Sequence, residues 1–161
     1  MVKKRKTRAR ARQAASQLAG VLSSATRTLT KTPYVATTGA YILASSSTKV
    51  ADQISALLTK LEFADLAKWV TEHQVKTLAM VYIAVAVILT APNSTALVSA
   101  AVGAYIIYAL KTPTKRITWE YAILTFGVCW FARTRSSRIR TAIVVVYLAI
   151  YCYGQWGQSF L

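Results

Sequence analysis

The sequence predicts an all-α fold: a multi-spanning membrane helical bundle with about four short spans, a basic N-terminal arm and an amphipathic interfacial helix. Two properties of the 161 residues lead to this prediction, a formal net charge of +15 and a hydrophobic content of 55%. A single soluble domain does not easily combine the two, because charge belongs on a surface and hydrophobic residues need burial. Here they occupy different parts of the chain. We therefore expect an arm at 1–32, a connector with an amphipathic helix at 33–76, and a membrane domain at 77–161.

The arm is strongly basic and contains no acidic residue. Its first stretch, KKRKTRARAR, carries seven candidate phosphate-binding cations: Lys3, Lys4, Arg5, Lys6, Arg8, Arg10 and Arg12. From Ala11 to Leu29, apolar residues recur at alternating steps of four and three, which predicts one helical stripe. Because the stripe is rich in alanine, we expect the arm to be frayed in free solution and to become helical on an anionic partner. That partner is either RNA or anionic lipid headgroups, since both present phosphates.

The connector begins after Lys31-Thr32-Pro33 with a short apolar patch, YVATTGAYILASSS. The patch is too short to cross a bilayer, and the sequence leaves open whether it is an interfacial segment or a simple connection. A helix is predicted over 49–74, where apolar residues follow one helical stripe and Lys68, Glu72 and Lys76 form successive i,i+4 pairs. Trp69, near the end of this helix, is typical of an interfacial anchor.

Four apolar runs follow, and they predict spans at about 77–91, 94–110, 117–132 and 141–156. Each run has 15 to 17 residues, fewer than the ~20 of a usual membrane crossing, so a soluble four-helix bundle is the alternative. The first two runs contain no charge on any face, and a helix that is apolar all round needs an apolar solvent. Trp119 and Trp156 are further expected interfacial anchors. Small residues of the second run are expected to pack helices closely: Ala96, Ala100, Gly103 and Ala104.

Two basic loops separate the later spans. The first contains Lys111, Lys115 and Arg116, and the second contains Arg133, Arg135, Arg138 and Arg140. If the arm is cytosolic, the first loop returns to its side, as the positive-inside rule expects. The second loop then faces outward with four arginines, against the rule. Three explanations stay open: an incomplete third span, arginines that bind something on the far side, and a lumen crowded with anionic lipid or protein.

The sequence offers no residue pattern suited to catalysis, and we expect no enzymatic activity, metal or cofactor. Its one histidine, His73, lacks the several convergent Cys, His or acidic ligands that a metal site needs. Cys129 and Cys152 lie in apolar runs at different depths of a helical hairpin, so we interpret them as packing thiols. The sequon at Asn93 falls in a tight turn beside the membrane, and we interpret it as a chance match.

The layout of the whole chain carries a family resemblance. KKRKTRARAR precedes four closely spaced hydrophobic segments, RTRSSRIR precedes the last of them, and the tail ends in CYGQWGQSFL. In architecture, size and charge layout this resembles the small virion membrane proteins of negeviruses and plant kitaviruses. The resemblance implies a structural protein of the virion membrane, made on host endoplasmic reticulum or another intracellular membrane, which assembles as a homo-oligomer or lateral lattice. The arm would face the genomic RNA, and other virion glycoproteins would be further partners.

Two other functions stay open. A membrane-remodelling or pore-forming protein would place polar residues along one face of its spans, and Ser99, Glu120 and Thr125 do not form one stripe. An organellar inner-membrane subunit would fit the first forty residues, which are rich in Arg, Ser, Thr and Ala and free of acids, as in a mitochondrial presequence. The dense KKRK start is more typical of nucleic-acid-binding or nuclear signals.

Overall fold

The computed structural model describes the backbone of residues 2–47, 49–91, 94–110 and 119–157, and the side chains of residues 12–47, 49–91, 94–110 and 119–150. These residues form α-helices and, within the described ranges, no strand, which confirms the all-α prediction. The helices are α1 (Val2–Leu29), α2 (Thr32–Ser45), α3 (Lys49–Lys60), α4 (Ala64–Glu72), α5 (Gln74–Thr90), α6 (Ala96–Ala109), α7 (Trp119–Arg133) and α8 (Ser137–Gly157).

Helix α5 is the centre of the bundle and packs on α2, α6 and α7. Its N-terminal turn lies beside the C-terminal turn of α6, where Lys76 Nζ donates to Tyr108 O over 2.9 Å. Gly103, midway along α6, touches both Ile83 of α5 and Val128 of α7. The core is built from these helices and includes the fully buried Ile83, Val87 and Ile107.

The bundle has two ends. The C-terminal ends of α1, α5 and α7 lie with the N-terminal ends of α2, α6 and α8 at one end. We call it the cationic end because it carries six cations: Arg27, Lys31, Arg133, Arg135, Arg138 and Arg140. The other end, the opposite end, holds α3, α4 and the N-terminal turn of α5, since Gln74 Nε2 lies 3.5 Å from Asp52 Oδ1. Consecutive helices from α5 to α8 therefore run antiparallel, and α2 runs from the cationic end to the opposite end.

Helix α2 forms from the apolar patch whose role the sequence left open, and it packs in the core. Tyr41 stacks on Tyr82 of α5 with ring centroids 4.5 Å apart. Thr38 accepts from the Tyr82 hydroxyl over 2.8 Å and donates to Tyr34 O over 2.8 Å. The polar residues of α2 are thus bonded within the bundle, which lets this short helix lie against α5 along its length.

The predicted single helix over 49–74 is wrong, because the chain forms α3 and α4 with a turn at 61–63. Glu62 there has a φ of 65°, in the left-handed region. Its N–H donates to Thr59 O over 3.1 Å and the Phe63 N–H to Leu58 O over 3.0 Å, a pair of bonds that ends a helix. The Ser55 hydroxyl then joins the two helices by donating to Ala67 O over 3.1 Å.

The expected i,i+4 pairing of Glu72 with Lys76 is also wrong, since α4 ends at Glu72 and Lys76 lies in α5. Lys68 and Glu72 stay one turn apart within α4. The axes of α4 and α5 differ by 102° across this break. Lys76 consequently turns inward and is only 7% exposed. The four apolar runs, in contrast, coincide closely with α5, α6, α7 and α8.

Candidate functional site

Six cations gather at the cationic end: Arg27, Lys31, Arg133, Arg135, Arg138 and Arg140. The five acidic residues of the chain lie in other elements. They belong to α3, α4, the turn between them and the first turn of α7, at the opposite end: Asp52, Glu62, Asp65, Glu72 and Glu120. The positive charges of the cationic end therefore have no carboxylate side chain of this chain beside them, and an external anion would neutralise them.

The C-terminal turns of α1 are fixed to α7 by side-chain hydrogen bonds. Trp130 Nε1 donates to Ser24 Oγ over 3.1 Å. Arg133 Nη1 donates to Arg27 O over 2.9 Å and to Thr28 Oγ1 over 3.2 Å, and Thr28 is 1% exposed. The guanidinium thus satisfies a carbonyl at a helix C-terminus, where a positive charge is favourable. These contacts bring the arm helix and the second basic loop to the same end of the bundle.

The segment between α7 and α8 presents its arginines in two ways. Arg135 and Arg138 are exposed. Arg140 folds back, because its Nε donates to Thr134 O over 2.6 Å and its guanidinium lies 5.2 Å from the centre of the Phe131 ring. A cation over an aromatic face is stabilised by the ring's negative potential. The loop is therefore a defined surface with two outward charges.

An open cavity of ≈ 520 Å³ lies between the α1–α2 junction and the end of α7. It is lined by Arg27, Thr30, Lys31, Thr32 and Arg133. Lys31 is also the N-cap of α2 and makes no side-chain capping bond. The cavity therefore combines three cations with the positive end of a helix dipole, an arrangement suited to an anion.

The seven predicted phosphate-binding cations of the arm lie on or near the N-terminal turns of α1. Arg12 is exposed, and all side chains from residue 12 to residue 20 are exposed with it. The side chains of Lys3, Lys4, Arg5, Lys6, Arg8 and Arg10 lie outside the described residues. The bundle thus holds α1 through its C-terminal turns and leaves residues 12–20 free to meet a partner.

The other predicted basic loop and the tryptophan anchors have different positions. Lys111, Lys115 and Arg116 lie outside the described residues, as does the side chain of Trp156. Trp119, at the start of α7, is 62% exposed. Trp69 stacks on His73 with ring centroids 4.8 Å apart and lies 5.7 Å from the Tyr108 ring. Trp69 therefore packs at the opposite end, among aromatic rings.

The small residues predicted to pack helices lie at the contact of α5 and α6. Ala96 and Ala100 are buried at 4% and 3% exposure, and Ala104 packs against the core. A Cβ added to Gly103 would lie 2.4 Å from Ile83 Cδ1, closer than any real contact. Only a glycine at this position permits the observed approach of α6 to α5. Cys129 is a fully buried free thiol, whereas the side chain of Cys152 lies outside the described residues.

In the described part of the chain, no helix on its own has both the length and the apolar composition of a membrane span. Helices α4 and α5 meet that requirement as a pair, but with the 102° bend between them. Helix α6 is apolar and shorter. The four spans stay a prediction.

A known protein family matches most of the chain. The family model SP24, described as "Putative virion membrane protein of plant and insect virus", matches residues 17–160. The chain belongs to this family. No curated protein and no solved structure matches the chain.

The family match confirms the resemblance predicted from the charge and hydropathy layout. It covers the helical bundle and all six residues of the cationic end. It begins after Arg12, so the seven cations of the first stretch precede the matched residues. Within the SP24 match, the fold brings six of the thirteen cations together at the cationic end.

Sequence reasoning missed several residues that build this site. Ser24, Thr28 and Thr134 were not singled out. Ser24 accepts from Trp130, Thr28 from Arg133 and Thr134 O from Arg140. Arg27 and Lys31 were counted only as part of the basic arm. A signal was present, since the hydroxyl residues Ser24 and Thr28 lie on one face of the arm helix at i,i+4 spacing. Their partners, however, lie more than one hundred residues away in the chain.

Proposed function

We propose that the protein is a structural component of the virion membrane, embedded by the apolar faces of its bundle, with its arm and cationic end on a phosphate polyanion. The observation that carries the proposal is the separation of charge along the bundle. Six cations and no acid lie at one end, whereas the elements of the other end carry all five acids together with Lys49, Lys60, Lys68 and Lys76. A protein between a lipid layer and a nucleic acid needs this polarity, because each end meets a different environment.

The outer faces of the helices support a membrane location. On α6, Leu97, Val98 and Tyr105 are 70%, 64% and 69% exposed. The outer residues of α8 include Val145 and Leu148, each 57% exposed. In water, such exposed apolar faces would drive association, whereas lipid would solvate them. Lateral contacts with further copies, or with other virion glycoproteins, would use the same faces.

The arm supports contact with genomic RNA or anionic lipid. Seven cations within ten residues neutralise phosphates and release their counterions, which gives affinity that depends strongly on salt and little on sequence. The first aromatic residue of the chain is Tyr34, so the arm lacks the stacking platforms that grip single-stranded bases. Its expected contacts are with the phosphate backbone.

The RNA contact is tested with two charge-matched triple variants of the full chain in detergent. In the first, Lys3, Lys4 and Lys6 become Gln; in the second, the exposed Lys49, Lys60 and Lys68 of the opposite end become Gln. Binding of single-stranded oligouridylate is measured as a function of salt. We expect the first variant to flatten the log–log salt slope by about 2, at ~0.7 for each phosphate that is no longer neutralised, and the second to leave it unchanged.

Equal effects of the two triple variants would contradict a specific role of the arm. If neither variant binds RNA less well than the parent chain, but the arm variant alone binds less well to vesicles of phosphatidylcholine and phosphatidylserine, the polyanion is lipid. The assay thus separates the two partners that the arm's charge permits.

The membrane location is tested by extraction of expressing cells with alkaline carbonate. We expect the full chain to stay in the membrane pellet, because its outer helical faces are apolar. Recovery in the supernatant would contradict insertion. For protein that stays in the pellet, fractionation of the membranes against markers of the endoplasmic reticulum tests the proposed host membrane.

A further inference from the structure

We propose that the open cavity at the cationic end binds the phosphate group of an anionic lipid headgroup. The proposal rests on the proposed membrane location and adds a defined site, a ligand class and the residues that hold it. The cavity measures ≈ 520 Å³, within the ~300–1,000 Å³ usual for ligand pockets. It would accommodate one headgroup rather than a length of polymer.

The cavity collects cations from two distant parts of the chain. Arg27 and Lys31 come from the α1–α2 junction, and Arg133 comes from the end of α7. Two hydrogen bonds from Nη1 already fix the Arg133 guanidinium against α1. Because this side chain is held before any ligand arrives, binding loses little of its rotamer freedom, and its remaining N–H groups are oriented for phosphate oxygens.

The start of α2 adds donors to the same cavity. Lys31 is the N-cap and Thr32 the first residue of this 14-residue helix, and both line the cavity. No side chain caps the helix at Lys31. The first-turn N–H of Thr32 and the Thr32 hydroxyl therefore supplement the three cations with neutral donors, whereas the Thr30 hydroxyl already donates to Thr26 O over 2.9 Å.

Two features favour a lipid phosphate over RNA. The lining residues include no aromatic side chain, so a base would find no stacking surface in the cavity. Apolar side chains flank it in the chain instead, with Leu29 47% exposed and Val35 56% exposed. A charged cavity next to exposed aliphatic groups fits a molecule that carries a phosphate at one end and acyl chains at the other.

Binding here would add a link among α1, α2 and the end of α7, which already contact one another in this region. A phosphate between Arg27, Lys31 and Arg133 would tie the last turn of α1 to the start of α2 and to the arginine loop. The direction in which the arm leaves the bundle would then depend on the anionic lipid content of the membrane.

The test uses native mass spectrometry of the full chain in detergent, titrated with dioleoyl phosphatidic acid or with zwitterionic dioleoyl phosphatidylcholine. The cavity variant is Arg27→Gln with Lys31→Gln. The matched control is Arg135→Gln with Arg138→Gln, which removes the same charge from exposed residues of the same end that do not line the cavity. All four positions are exposed, and thermal unfolding verifies that both variants fold.

We expect the cavity variant to bind phosphatidic acid about thirtyfold more weakly and the control less than about threefold more weakly, from ~1 kcal/mol per cation. Phosphatidylcholine should bind weakly to all three proteins. Inorganic phosphate should compete with phosphatidic acid for the parent chain, which would assign the interaction to the phosphate group. Competition without any preference for the lipid over free phosphate would instead identify a free-phosphate site.

Equal weakening in the two double variants would overturn the proposal, since the charge would then act without a site. Weaker oligouridylate binding by the cavity variant alone, with unchanged lipid binding, would overturn it in favour of RNA. Carbonate extraction of both double variants tests the proposed membrane location independently of the cavity. If the protein stays in the membrane pellet but shows no cavity-specific lipid binding, the proposed membrane location stands and the proposed lipid site is wrong.

Discussion

At the scale of single residues, buried Lys76 shows how the bundle uses a charge inside an apolar region. Its Nζ donates to Tyr108 O, one of the last carbonyls of α6, which has no partner within its own helix. A cation at that position also opposes the negative end of the helix dipole. Lys76 is therefore a capping residue for α6 as well as a link between α5 and α6.

Replacing Lys76 with Met should destabilise the protein by about 1–3 kcal/mol, because the Tyr108 carbonyl would lose a charged donor in a buried place. Thermal unfolding in detergent measures the change. Lys68→Met is the matched control, since Lys68 lies exposed one turn before the α4–α5 break. An unfolding temperature that falls equally in both variants would show that the carbonyl bond contributes nothing specific.

Gly103 gives a second prediction at this scale. An alanine Cβ there would overlap the Cδ1 atom of Ile83, which is fully buried and cannot move aside easily. Gly103→Ala should cost about 1–3 kcal/mol by overpacking, despite its gain in helix propensity. Ile83→Val removes the Cδ1 atom, so the double variant should be more stable than the sum of the single changes predicts. Strict additivity would contradict this contact.

Some of these residues were visible in the sequence and others were not. Gly103 belongs to a run of small residues, so its place in a helix contact followed from spacing alone. Lys76 was expected to pair with Glu72, because i,i+4 spacing assumes a continuous helix and cannot anticipate the break after Glu72. A residue's local pattern thus indicates its surroundings only while the helix around it continues.

At the scale of elements, the turn between α3 and α4 depends on an uncommon backbone conformation. Glu62 has a left-handed φ of 65°, which a residue with a Cβ adopts at a cost of ~1–2 kcal/mol. Glu62→Gly should therefore stabilise the α3–α4 hairpin by about 1 kcal/mol. Slower amide exchange in α3 would report it, and Glu62→Gln, which keeps the Cβ, should change little. Faster exchange in the glycine variant would contradict the assignment.

Helix α2 explains why one element escaped prediction. Its threonines and serine read as polar in the sequence, yet their hydroxyls donate to carbonyls one turn earlier: Thr37 to Pro33, Thr38 to Tyr34 and Ser45 to Tyr41. Such bonds satisfy the hydroxyl within its own helix and let it lie against apolar neighbours. The longer apolar runs contain few such residues, and the bounds of their helices were predicted to within a few residues.

At the scale of the whole molecule, helix α2 places the C-terminal end of the arm helix and the arginine loop at the same end of the bundle. The sequence predicted three membrane passes between the arm and the arginine loop. An odd number of passes puts the two on opposite sides of the membrane. With α2 as an additional pass, the chain crosses the length of the bundle four times between Lys31 and Thr134, through α2, α5, α6 and α7. The C-terminal turn of the arm helix and the arginine loop then meet, as Arg133 and Arg27 do. If these helices cross a membrane, the arginine loop faces the same side as the C-terminal end of α1, whereas α6 ends and α7 begins on the other side.

In a membrane, this arrangement predicts that α1's end and the arginine loop face the same compartment. Thr30→Cys and Ser136→Cys place exposed thiols at the cationic end, and Thr59→Cys places one at the opposite end. In sealed vesicles, a membrane-impermeant maleimide should label the first two from one side and Thr59→Cys from the other. The unchanged chain is the control for its natural cysteines, of which Cys129 is fully buried. Labelling of Thr30→Cys and Ser136→Cys from different sides would mean that α2 does not act as a pass, and the six cations would not form one surface.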